Sequence, residues 1–312
     1  MTYQYHTADV FTDTPFGGNQ LAVIVDARGL TPEQMASIAR EFNFSETIFV
    51  TPPEDAANTK RVRIFTPGSE LPFAGHPTVG AAFVLAATGE IDLTGDETRI
   101  ILEEGVGPVP VVIRSENGRP VFAQLTAAKI PEKGTETHAR GAIAKLLSLD
   151  SEDIDEDADY KIEAWSAGLP YLIVPIKTLE ALGRARVKVD LWEKNLRDTW
   201  APEVFLFVET EESAALNGVR SGDGVIRARM FAPSLGIPED PATGSACACL
   251  AGYLAARSSK HDGVLKYTVH QGVEMGRPSR IEVEVDVTEG AVTAVRIGGA
   301  SVLVSSGTLY VP

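Results

Sequence analysis

The strongest constraint on this chain is that it says the same thing twice. Arg63-Ile-Phe-Thr-Pro67 is answered by Arg229-Met-Phe-Ala-Pro233, and Phe73-Ala-Gly-His-Pro-Thr78 by the Pro-Ala-Thr-Gly-Ser loop that ends at Ser245. Gly75–Ala87 then matches Gly244–Ala256, both closing on Leu-Ala-Ala at the same distance from the glycine. The arginines lie 166 positions apart and the glycines 169, so the second connecting loop is three residues longer. Gly18–Val25 against Gly168–Pro175, and Glu46–Phe49 against Glu203–Leu206, are looser matches. Copies of roughly 150 residues are too long for a solenoid. They predict two similar domains facing each other, with one polar helix start from each.

The stretch Arg229–Ala256 shows what each copy is built around. It reads as a strand over Arg227–Phe231, a Pro/Gly-rich loop, and a small-residue helix from about Gly244. Glu239, Asp240, Thr243 and Ser245 fall where the helix begins. A helix start offers unpaired N–H groups and a partial positive charge, which suits an anionic group. The helix that follows is uncharged and apolar on nearly every side, so it should be buried all round. At about eleven residues it is too short to span a bilayer.

A chain of 312 residues can bury a sizeable core and is expected to split into two domains. Its formal charge of −15 argues against a nucleic-acid surface. MTYQYHTADV carries neither a basic nor an apolar leader pattern, so no signal peptide is expected, and no long uncharged apolar run predicts a membrane span. The only cysteines, Cys247 and Cys249, sit two apart on the helix and are badly placed to bond each other. They read as small hydrophobes, and a reducing cytoplasm is the default compartment. The five histidines are scattered and none sits at zinc spacing with a cysteine, which gives a metal site little support.

Along the chain, Tyr3–Phe11 alternates as a strand, Thr12–Asn19 is turn chemistry, and Leu21–Val25 is a buried strand. Thr31 caps a helix running to about Phe42, with Pro32 at its first position and Gln34 completing a capping box. Asn43-Phe-Ser-Glu46 leads into a strand over Thr47–Val50. Lys60–Thr66, Thr98–Leu102, Val109–Arg114 and Arg119–Leu125 read as strands, with Asn117-Gly118 as a hairpin turn. His138–Leu149 reads as a peripheral helix and the acidic run Asp150–Asp159 as a solvated loop. Four more strands follow the second central helix, over Gly263–His270, Arg280–Val287, Ala291–Ile297 and Ala300–Val304. Many short strands with two buried helices predict an α+β fold rather than a doubly wound one. No phosphate-binding glycine loop follows any strand, so no nucleotide cofactor is expected.

The motifs in their order resemble those of the PhzF-like isomerases of phenazine biosynthesis, which share the diaminopimelate epimerase-like fold. The resemblance covers nearly the full length. It is carried by Asp9-Val-Phe-Thr with Gly18-Asn19, Asn43-Phe-Ser-Glu-Thr47, Arg63-Ile-Phe-Thr-Pro67, Ala74-Gly-His-Pro-Thr78, Glu239-Asp-Pro-Ala-Thr-Gly-Ser245 and Gln271-Gly with Gly276-Arg-Pro-Ser279. Gln20 departs from the pattern, which usually has proline after the asparagine. The resemblance implies two pseudo-symmetric domains, each a β-barrel-like sheet around one central helix, with a substrate cleft between them. It places Glu46 as general acid/base, His76, Asp240 and Ser245 as its polar partners, and Gly75 and Gly244 as backbone donors to a substrate carboxylate. Asn19, Ser45 and Thr243 join the candidate substrate-binding set.

Each of these residues also has a plainer reading. Glu46 on its own would be an exposed carboxylate; with Phe44, Ile48 and Phe49 around it, it is poised for a raised pKa and for carrying a proton. His76 follows Gly75 at a helix start, where the cation is disfavoured, so a neutral hydrogen-bonding role is expected. Asp240 and Ser245 could simply cap their helix, and the two roles are compatible. Glu203 fits the repeat position of Glu46 but lacks the Asn-Phe-Ser lead, and reads as structural.

The racemases and epimerases of this fold that the resemblance brings in would use one thiol from each half. Here the first loop reads Phe-Ala-Gly-His and the first half has no cysteine. A single carboxylate moving a proton between two carbons is the chemistry that remains. The expectation is therefore a cofactor-independent isomerase acting on a small anionic metabolite, with no nucleic-acid or membrane partner and a homodimer left open. An epimerase or racemase with a non-cysteine second base, or a catalytically idle small-molecule binder, are the alternatives. The domains are expected at 1–125 and 126–304, with 305–312 returning to the first.

Overall fold

The computed structural model describes residues 1–156, 160–210 and 223–312; the end of the acidic run Asp150–Asp159 lies outside the described residues. The chain divides into two compact units. The first comprises Met1–Ala128 with Arg277–Arg280 and Ile297–Pro312; the second comprises Lys129–Gly276 with Ile281–Arg296. Both are α+β and dominated by sheet.

In the first unit, β1 (Thr2–Val10) pairs antiparallel with β2 (Asn19–Ile24), and β2 runs parallel to β3 (Glu46–Thr51). Between them α1 (Pro32–Phe42) starts on the expected Thr31–Gln34 capping box and stops where Asn43 turns left-handed at φ 53°. Its apolar side packs Met35 and Ile38 onto Ile24, Phe49 and Phe65. Next, β3 pairs antiparallel with β4 (Lys60–Phe65), which meets the short β5 (Glu70–Leu71). Then come α2 (Gly75–Ala87) and the antiparallel run β6 (Glu97–Glu104), β7 (Gly107–Glu116) and β8 (Arg119–Thr126). The β7–β8 turn uses Asn117 and Gly118, both at positive φ.

In the second unit, β9 (Glu132–Lys133) pairs with β10 (Glu163–Ser166), β10 is antiparallel to β11 (Pro170–Pro175), and β11 runs parallel to β12 (Glu203–Glu209). Next, β12 is antiparallel to β13 (Asp223–Ala232), which meets β14 (Ile237–Asp240) and runs parallel to β15 (Gly263–Gln271). Three short helices, α3 (Arg140–Leu146), α4 (Leu179–Arg184) and α5 (Val189–Asn195), cover one side with Ile143, Leu182 and Trp192. The expected helix over 138–149 is thus shorter at both ends, and α4 and α5 had no periodicity long enough to show. After β14 comes α6 (Gly244–Ala255).

The duplication holds at the level of single residues. Parallel pairing sets Glu46 opposite Leu21 in one unit and Glu203 opposite Tyr171 in the other. Antiparallel pairing sets Arg63 opposite Phe49 and Arg229 opposite Leu206. Both central helices are buried on all sides, α2 over Gly75–Ala86 and α6 over Gly244–Leu254. Side chains such as Val84, Leu85 and Leu250 there contribute roughly 1.5–3 kcal/mol each through burial. Each helix approaches its surroundings at a glycine. A Cβ on Gly80 would meet Leu21 and Val10 at 2.6 Å, and one on Gly252 would meet Pro131 at 2.4 Å.

The last strand carries the chain back. After β16 (Ser279–Thr288) and β17 (Ala291–Gly299), β18 (Ser301–Tyr310) pairs antiparallel with β1 from Val10–Ser301 to Thr2–Tyr310. It is longer than the expected Ala300–Val304, and after the brief visit at Arg277–Arg280 the final return to the first unit starts at 297 rather than 305. The strand's exposed central residues hid it, since only its ladder and not an apolar face marks it as sheet.

Candidate active site

Three of the candidate residues meet in the first unit. Asn19 opens β2, Glu46 opens β3 beside it, and His76 is the second residue of α2. All three are buried. Asn19 Nδ2 lies 3.2 Å from His76 Nδ1, while His76 Nε2 lies 3.4 Å from Glu46 Oε2. Burial lowers the His76 pKa to about 3, against a weaker opposing bond with the Gln20 backbone, so the ring is neutral at pH 7. A carboxyl next to a neutral imidazole that an amide holds from its other nitrogen is an arrangement suited to proton transfer. Ser45, half-buried, immediately precedes Glu46 in the α1–β3 connection. Gly75 begins α2 behind Ala74, which has no side chain to cap the helix.

Four more candidates meet in the second unit. Asp240 ends β14, Thr243 is the N-cap of α6, and Gly244 and Ser245 are its first two residues. Thr243 Oγ1 donates to Asp240 Oδ2 at 2.5 Å instead of capping the helix. Gln271, at the end of β15, holds this corner. Its Nε2 donates to Asp240 O at 2.7 Å and Thr243 Oγ1 at 2.9 Å, and its Oε1 accepts from Thr243 N at 3.1 Å. Ser245 Oγ lies 2.7 Å from the Tyr171 hydroxyl. Burial raises the Tyr171 pKa well above its usual value, so the phenol keeps its proton.

Gln271 and Tyr171 were not among the residues singled out for the site. The Gln271-Gly motif was a visible signal for the first. Nothing marked Tyr171, whose counterpart Leu21 is apolar. Glu203 is buried, accepts from Ser234 Oγ and has no hydrogen-bond partner for Oε2 among the described residues. Burial raises its pKa to about 7.

Both cysteines are fully buried on α6. Burial pushes the Cys247 thiol far up and the Cys249 thiol up to about 12, so neither is a thiolate near neutrality. We expect Cys247→Ala to keep turnover within about twofold of the parent, since a protonated thiol in the core acts as a packing group. A loss of a hundredfold in a steady-state assay would assign it chemistry.

Each unit thus carries one buried helix with polar groups gathered at its N-terminus. A solved phenazine biosynthesis protein of the PhzF family from Bacillus anthracis matches the chain with a TM-score of 0.84 at 26% identity, covering 100% of each chain. The phenazine biosynthesis-like protein family model matches residues 8–307. An uncharacterized isomerase of Mesorhizobium japonicum is 39% identical over 99% of each chain. Trans-2,3-dihydro-3-hydroxyanthranilate isomerase of Pseudomonas aeruginosa is 32% identical over 99% of each. The chain belongs to the phenazine biosynthesis-like (PhzF) family of isomerases.

Proposed function

We propose that this protein isomerises a small carboxylated metabolite by moving one proton between two of its carbons, with Glu46 as the carrier. The observation that supports this most is the Glu46–His76 contact at 3.4 Å, with Asn19 behind the ring, at the start of a buried helix without a side-chain cap. A carboxyl in low dielectric beside a neutral imidazole can take a proton from carbon in one position and return it in another. The helix start at Gly75, which has no side-chain cap, suits the substrate's carboxylate. Asp240, Thr243, Gly244 and Ser245 are assigned to substrate handling, with Asp240 suited to an amine or hydroxyl donor next to the acid group.

The relative from P. aeruginosa supplies the first substrate to try, trans-2,3-dihydro-3-hydroxyanthranilate. Incubation in D2O, followed by NMR, should show a constitutional isomer of the substrate that carries deuterium at the accepting carbon. Absence of conversion removes that substrate, and deuterium confined to one stereocentre of unchanged constitution removes the isomerase reading. A second reading, an epimerase with two carboxyl bases, is favoured by one observation: Glu203 occupies the register position of Glu46 and is itself buried with a raised pKa.

A further inference from the structure

The repeat register that equates Glu46 with Glu203 also pairs two residues that no motif connects. In the first unit β4 runs parallel to β6 with Arg61 opposite Glu103; in the second, β13 runs parallel to β15 with Arg227 opposite His270. Arg61 and Arg227 are repeat equivalents, so Glu104 stands where Gln271 stands, each followed by glycine. Gln271 is a neutral amide that donates to the start of α6. Glu104 reaches the start of α2 instead: its Oε1 lies 2.5 Å from Thr78 Oγ1, which in turn lies 2.7 Å from the carbonyl of the N-cap residue Ala74.

Proton counting ties the direction of these bonds to the charge on Glu104. A threonine hydroxyl has one hydrogen, and a carbonyl oxygen can only accept. If Thr78 gives its hydrogen to Ala74, the Glu104 contact needs the proton to come from Glu104. Glu104 Oε2 is buried and has no hydrogen-bond partner among the described residues, a costly place for a carboxylate and a cheaper one for a neutral acid.

We propose that Glu104 works as a protonated acid, the counterpart of Gln271, and is a positioning residue that holds the α2 start, and with it Gly75 and His76, in place. This rests on the reading that His76 belongs to the active site. Burial is the main cause that raises the Glu104 pKa, to about 8, and the Thr78 bond opposes it. The charged groups that share its surroundings are Arg61 and Arg63 from β4 and Glu70 from β5, which line with it a cavity of ≈ 330 Å³. Both arginines are already paired, Arg61 with Glu54 and Arg63 with Glu70. From α2 the facing group is Thr78, with His76, neutral, two residues away. When Glu104 ionises, it draws the Thr78 hydroxyl hydrogen away from Ala74 and leaves the N-cap carbonyl with the longer bond from Thr78 N at 3.4 Å.

The test combines 13C NMR of labelled glutamate side chains with a pH profile of kcat/KM. Glu104→Gln assigns the resonance, and Thr78→Val, which shifts it, assigns it independently should that variant not fold. A Glu104 carboxyl that is protonated at pH 7 and titrates near pH 8 is expected in the substrate-free protein; one already ionised at pH 7 overturns the proposal. On trans-2,3-dihydro-3-hydroxyanthranilate, the parent should lose at least fivefold in kcat/KM between pH 7 and 9.5. Glu104→Gln should stay within about threefold of the parent at pH 7 and lose this alkaline fall. An alkaline fall unchanged in Glu104→Gln overturns the positioning role. The NMR arm needs no turnover, so failure of the active-site reading leaves the protonation state of Glu104 still measured.

Discussion

Replacing Glu46 by glutamine should cost turnover roughly a hundred- to ten-thousand-fold, the usual contribution of a general acid/base. Glutamine keeps the shape of the side chain and its hydrogen bonding but cannot exchange a proton at working pH. The neighbourhood should survive the change. Glu46 faces a His76 that burial keeps neutral, so no buried cation is left without its counter-charge. The loss should therefore fall mainly on kcat, with KM and the unfolding midpoint close to the parent values. Steady-state kinetics beside chemical denaturation separates the two, and turnover within about twofold of the parent would place the proton carrier elsewhere.

The largest expected effect on stability lies at Arg229, one of the pair of arginines that the duplication sets in equivalent strands. Both bond a glutamate through two nitrogens, Arg63 with Glu70 and Arg229 with Glu239, and both lie against a phenylalanine two residues on. They differ in burial. The Arg229 side chain is 2% exposed and its partner 17%, against 25% and 43% for Arg63 and Glu70. Arg229 also donates from Nη1 to the carbonyls of Leu182 and Ala185, tying α4 to the sheet.

Arg229→Leu should cost about 3–5 kcal/mol, because it strands a mostly buried carboxylate and carbonyls that lose their donor. Arg63→Leu should cost about 1 kcal/mol or less, in the range of exposed pairs. Denaturant midpoints of the two variants test the contrast. Equal losses would mean that burial is not what separates the two pairs.

Much of this architecture was legible before any coordinates. The Arg-x-Phe-x-Pro and Leu-Ala-Ala spacings located both central helices, because a helix buried all round must be apolar all round and shows it. The α1 capping box and the Asn117-Gly118 turn were legible for the same local reason. What stayed hidden depends on residues far apart in the chain. Gln271 reaches Thr243 across 28 positions and Tyr171 reaches Ser245 across 74, so no spacing rule links them. Glu104 ends a strand that alternates buried and solvated residues, and only the β4–β6 register shows that it stands where Gln271 stands. Glu203 read as structural because its lead sequence differs, and its burial and its bonds from Ser234 could be known only from the fold.

The central claim is that one carboxyl, Glu46, carries the proton. It is tested most directly by following exchange of the substrate's carbon-bound hydrogen in D2O with trans-2,3-dihydro-3-hydroxyanthranilate, comparing the parent with Glu46→Gln and Glu203→Gln. The account predicts exchange and isomerisation in the parent, loss of both in Glu46→Gln, and retention of both in Glu203→Gln. Exchange that survives in Glu46→Gln, or that disappears in Glu203→Gln, would contradict it.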